Sequence, residues 1–107
     1  MRLFLLPLAL LTAISLDAQA RPMSKHEQDL CSWGAQVAGQ AQQAKLAGVT
    51  LYTERKRLQN RKFAKSWMRM TAFGITEQTY NSQSRLSPAE IKKTYFQQCV
   101  WHAKNRT

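Results

Sequence analysis

Arg57, Arg61, Lys65 and Arg69 recur every fourth residue, with Lys62 beside them, in the stretch ERKRLQNRKFAKSWMRM at positions 54–70. Guanidinium and ammonium groups at that spacing can grip phosphate or carboxylate. At about 100° per residue they form one ladder on a helix face. Tyr52, Phe63, Trp67 and Met70 fall on the opposite side, with Leu58 and Met68 as exceptions on the cationic side. This separation predicts that the aromatics face a core, since a base-stacking platform needs rings and cations together. Like charges at i, i+4 repel by a few tenths of a kcal/mol per pair, roughly, and Glu54 is the one acid in the stretch. Two readings of the ladder stand: a solvated face of a cationic protein, or an anion-binding face rewarded by a partner.

Cys31 and Cys99 are the only cysteines. Without a CxxC or a close Cys/His cluster, the pair reads as a structural disulfide between the two ends of the chain. Closing so long a loop stabilises a fold by about 4 kcal/mol on the chain-entropy account. His26 and His102 lie one turn from Cys31 and Cys99. The bridge would bring them towards each other, but two ligands make a poor metal site, so neither a metal nor another cofactor is expected. No GxSxG, HExxH or glycine-rich phosphate loop occurs, and the acids are scattered. A pair such as Glu77 with His102 could arise only through folding. The chain is therefore read as non-catalytic.

The charge balance directs attention to partners. Sixteen Lys and Arg face six Asp and Glu, for a net charge of +10 at pH 7. Arg2 opens an uncharged apolar run, Leu3 to Leu16, that ends in Ala18-Gln19-Ala20. This is the pattern of a cleaved export signal over residues 1–20, and the run is too short for the roughly 20 residues of a membrane span. Residues 21–107 then form one domain in the periplasm or outside the cell. Candidate partners are an acidic protein surface or an envelope polyanion. Export, and the lack of any helix-turn-helix, zinc-finger or RNP pattern, argue against nucleic acid.

The elements that must hold these residues are helical. Ser24 with Glu27 forms a capping-box pattern, and Leu30, Cys31, Gly34, Val37, Ala38 and Ala41 follow as a narrow stripe of mostly small residues. Lys45 and Gly48 suit its C-terminus. Thr50 can cap a second helix reaching towards Tyr80, with a kink or break expected at Gln59-Asn60 or at Gly74. Asn81 to Arg85 is a loop. Ser87-Pro88-Ala89-Glu90 starts the last helix, where Ile91, Tyr95, Cys99 and His102 share a face with Phe96 and Val100 beside it. Trp33, Trp67 and Trp101, one per helix, are expected to share the core.

The fold expected is an all-α bundle of three to four helices fastened by Cys31–Cys99. The function expected is binding, through Arg57, Arg61, Lys62, Lys65 and Arg69, to an acidic partner. The alternative is a cationic protein that works at the envelope or membrane surface, touching head groups peripherally. A third reading is an enzyme whose site assembles only in three dimensions.

Overall fold

A computed structural model describes residues 22–106. The expected export signal, residues 1–20, lies outside the described residues. Among the described residues four helices follow one another: α1 (Lys25–Leu46), α2 (Leu51–Asn60), α3 (Ser66–Asn81) and α4 (Pro88–Asn105).

α1 begins where the sequence places it. Ser24 Oγ accepts from Glu27 N at 3.1 Å, while Ser24 N donates to Glu27 Oε1 at 3.0 Å. Its end is a Schellman turn: Gly48 N donates to Lys45 O at 3.1 Å and Val49 N to Ala44 O at 2.9 Å. Gly48 adopts φ +85°, the left-handed conformation that closes such a turn at little cost only for glycine. Thr50 then caps α2 through Thr53 N at 3.1 Å. Ser87 caps α4 through Glu90 N at 3.2 Å, with Pro88 in the first turn.

α1 is the spine, and it packs against each of the other three helices. Its small buried residues, among them Cys31, Gly34, Ala35, Ala38 and Gly39, let α4 approach closely. The bridge Cys31–Cys99 joins the two helices with their Cα atoms 5.6 Å apart, across a sequence separation of 68. On its other flank, Val37 and Ala38 meet Leu58 of α2 and Ala72 and Ile75 of α3. Trp33, Phe63, Phe73, Ile91 and Tyr95 pack around that cluster. Among the described residues, the backbones of α3 and α4 stay apart, and the backbone of α4 comes close to that of α1 alone.

The second helix of the sequence reading is two helices. The chain leaves helical geometry directly after Asn60 and resumes it at Ser66, with Arg61 and Lys65 both extended. Asparagine is a poor helix former, and the crowded cations add repulsion. Gly74, the other expected weak point, lies inside an unbroken α3. The break changes the phase of everything after it, which corrects the face of Met70, and within α2 itself the projected faces of Tyr52 and Leu58 are also corrected. Leu58, read as an exception on the cationic side, is 2% exposed, whereas Tyr52 and Met70 are 68% and 70% exposed. Phe63 does pack against the core. The tryptophans divide. Trp33 and Trp67 meet edge to face with centroids 6.1 Å apart, though Trp67 stays partly open, and Trp101 lies outside the core.

Candidate functional site

The cation ladder of the sequence does not survive as one helix face, because the helix that would carry it stops at Asn60. The five residues instead surround the turn between α2 and α3; Arg61 and Arg69 hold that turn, and Arg57 is engaged within α2. Arg57 Nη1 reaches Glu54 Oε1 at 3.3 Å, and Glu54 is only 5% exposed. A buried carboxylate needs such a partner. Arg61 Nη1 donates to Gln40 Oε1 on α1 at 3.2 Å. Arg69 folds back across the break, donating from Nη2 to Arg61 O at 2.8 Å and placing its guanidinium over the Phe63 ring at 5.4 Å. Lys62 and Lys65 are exposed, and their ammonium groups make neither a hydrogen bond nor an ion pair among the described residues. The turn therefore presents two free ammonium groups above three cations that are structurally engaged.

The acids complete this electrostatic account. Asp29 pairs with Lys25 at 3.3 Å and Glu77 with Arg55 at 2.9 Å. Glu27 pairs with Arg106, fastening the two ends of the described chain. Glu90 lies at the Ser87 hydroxyl in the first turn of α4. Glu77 is thus engaged by α2, and the Glu77–His102 pair raised by the sequence is not formed. His26 is exposed, while His102 stands edge-on to Trp101 with centroids 5.1 Å apart. Among the described residues no three His, Cys, Asp or Glu side chains gather as metal ligands would.

A second feature went unseen in the sequence. Because α3 and α4 stay apart on the same spine, a groove of about 780 Å³ opens between them. Leu30 and Ala38 of α1 form its floor, and Ile75, Ile91 and Tyr95 its apolar walls. The face Ile91–Tyr95–Cys99–His102 foreseen for the last helix lines it. The missing signal was the separation of α3 from α4, which no periodicity encodes.

Ser82 lines one end of the groove, and α1 ties down the loop that follows it. Lys45 Nζ donates to Thr79 O at 3.1 Å and to Ser82 O and Ser84 O at 3.0 Å each. Burial, with the nearby Arg85 charge adding to it, holds the Lys45 ammonium below the usual lysine range. Gln42, fully buried, donates from Nε2 to Ser84 O at 3.1 Å and Leu86 O at 2.8 Å. Glu27, His102 and Arg106 line the other end.

Comparison with known protein families, with curated proteins and with solved structures returns no match. Among the described residues, no helix is long and apolar enough to cross a membrane.

Proposed function

We propose that the chain is an exported, non-catalytic binding protein that contacts an anionic partner through the basic turn between α2 and α3. The observation that carries this reading is the asymmetry of ion pairing. Asp29, Glu27, Glu54 and Glu77 are each matched to a cation within the fold, so the surface meets a partner with unmatched Lys and Arg. Lys62 and Lys65 project from the turn without internal duties, and so form the contact. Arg61 and Arg69 shape the turn beneath them, and Arg57 neutralises Glu54 within α2. The disulfide fits a protein that works in an oxidising compartment.

Charge reversal at Lys62 and Lys65 tests the reading directly. The double variant Lys62→Glu, Lys65→Glu should keep the helical circular dichroism of the parent and lose capture of an acidic partner by crosslinking in the native compartment. Undiminished capture would sink the proposal.

A second reading, action at the membrane surface, is favoured by exposed aromatics set among cations. Lys56 Nζ stands 5.2 Å from the centroid of the exposed Tyr52 ring, an arrangement suited to the head-group region. It predicts salt-sensitive binding to anionic vesicles; no binding at low ionic strength removes it.

A further inference from the structure

Beside the basic turn, the outer face of α3 carries apolar surface that the fold leaves uncovered. Ala72, Ile75 and Thr76 are the buried residues of α3. At about 100° per residue, Trp67 and Met70 fall on the side away from them, and they are 43% and 70% exposed. The two stand close to one helical turn apart. Trp67 is steadied by Trp33, whose ring meets it edge to face with centroids 6.1 Å apart. A ring held in this way loses little freedom when a partner covers it, and tryptophans anchor many interfaces. Met70 adds a flexible thioether that adapts to what packs on it.

Cations border this patch. Lys65 immediately precedes α3, and chain reach puts the Lys65 and Lys62 Cα atoms within about 7 Å and 18 Å of that of Trp67. No acid stands in the first turn of α3, so the helix dipole adds to the positive field there. A single exposed apolar side chain is ordinary. A tryptophan and a methionine together, edged by unpaired ammonium groups, have the apolar centre and polar rim of an interface.

The same features narrow the occupant. A second copy of this chain, with a net charge of +10, repels the first. Single-stranded nucleic acid stacks successive bases on several rings, and this patch exposes one. Adsorption to anionic lipid draws on clusters of about 4–8 Lys or Arg, whereas Arg61 and Arg69 are engaged within the turn. The described elements are all helices, so they offer no strand edge for main-chain pairing, and a partner must bind through side chains.

We propose that Trp67 and Met70, with Lys62 and Lys65 as their rim, dock an acidic amphipathic helix of another protein. Its apolar stripe covers Trp67 and Met70, and its carboxylates meet the two ammonium groups. This rests on the reading of the basic turn as the anionic contact and gives the chemistry of the partner there.

Fluorescence anisotropy tests it, with the oxidised protein titrated into a labelled synthetic helix that carries Leu on one face and Glu on the other. A peptide of the same composition in shuffled order, a single-stranded oligonucleotide and anionic vesicles form the other arms. Saturable binding of the ordered peptide is expected, tighter than the shuffled one by about tenfold or more. Trp67→Ala should weaken it by about tenfold or more. Met70→Ala, at a position outside the core, should weaken it by about threefold or more with helicity unchanged. Lys62→Glu, Lys65→Glu should weaken it and flatten its dependence on salt. No saturable binding, parent-like binding by Met70→Ala and Trp67→Ala, or tighter binding of the oligonucleotide or the vesicles overturns the proposal. If both peptides bind equally and the lysine variant loses both, the basic turn stands as an anion contact and the α3 patch falls. If the lysine variant loses neither, the reading of the turn falls with it.

Discussion

The ring of Tyr95 lies across Gly34 so closely that a β carbon at position 34 would stand 2.7 Å from Cε1 and 2.8 Å from the hydroxyl oxygen. This approach is what the small-residue stripe on α1 makes room for. Alanine is the better helix former by about 1 kcal/mol, yet in Gly34→Ala the ring must swing out, and overpacking of this kind costs about 1–3 kcal/mol. Gly34→Ala is therefore expected to destabilise the protein by about 1 kcal/mol in denaturant titration. Gly74, exposed on α3, is the control. A β carbon there would meet nothing within 4 Å, so Gly74→Ala should stabilise by about 0.5–1 kcal/mol. Shifts of the same sign in both would mean that the α1–α4 approach is not limiting.

Reduction of the bridge should act on one helix before the others. The backbone of α4 comes close to that of α1 alone, so losing Cys31–Cys99 removes its covalent tie and leaves Val37, Ala38, Leu58, Ala72 and Ile75 packed on one another, with only the cover of Ile91 and Tyr95 at stake. The expected cost is about 4 kcal/mol. Hydrogen exchange after reduction should show α4 amides exposed while α2 and α3 stay protected; uniform loss across all helices would contradict this.

Alkaline pH should loosen the fold through its tyrosines. Burial pushes the Tyr95 hydroxyl above the ordinary tyrosine range, and burial followed by the Glu54 charge does the same to Tyr80. Each native phenol keeps a proton that the unfolded chain releases above about pH 10. Their stabilising contribution is therefore full below that pH and is lost as pH rises through the native-state values. Lys45 has the opposite sign. Its native ammonium gives up its proton before the unfolded chain's does, so its contribution rises with pH towards about 10.5. Tyr95→Phe keeps the ring over Gly34 and should flatten the alkaline fall in stability. Equal slopes for variant and parent would show that Tyr95 does not cause it.

Lys45→Met removes the donor shared by three carbonyls at the end of α3 and in residues 82–87. Relief of a desolvated charge offsets part of the loss, and a net destabilisation of about 1 kcal/mol is expected, since Ser82 O loses its donor while Ser84 O keeps Gln42 and Thr79 O keeps Ser82 N. Faster exchange confined to the end of α3 and the following loop should accompany it.

The corrected faces of α2 and α3 make a contrast that calorimetry can read. Leu58→Ala empties a site that is 2% exposed and should cost about 2–4 kcal/mol. Met70→Ala, at a side chain 70% exposed, should stay within about 0.5 kcal/mol of the parent. Comparable losses at both positions would restore the inward reading of Met70.

Local signals carried the sequence reading a long way. Ser24, Thr50 and Ser87 cap helices because each cap is a contact within one turn, and Gly48 ends α1 for the same reason. The disulfide was legible because two cysteines allow a single pairing. Faces beyond Asn60 were not legible. A helical projection assumes an unbroken axis, and the turn at residues 61–65 rotates Trp67 and Met70 relative to Leu58. The groove was illegible for a different reason: it exists because two consecutive helices, joined by residues 82–87, lie apart on the same spine, and hydrophobic spacing within either one records nothing of that. Gln42 shows the same limit, a polar side chain fully buried because of the carbonyls of a distant loop.

The attachment of α4 to α1 alone also sets an order of events. Contacts among the first three helices are comparatively local, while α4 must return across almost the entire chain to reach its place, and such long-range closure is the slow part of assembly. The first three helices can therefore gather before the last one arrives. Cys99 is synthesised 68 residues after Cys31, so every newly made chain passes through an interval in which an unpaired thiol on α1 waits beside an uncovered strip of small side chains. Premature pairing between chains is the hazard of that interval, and an oxidase that acts only after α4 has docked would avoid it.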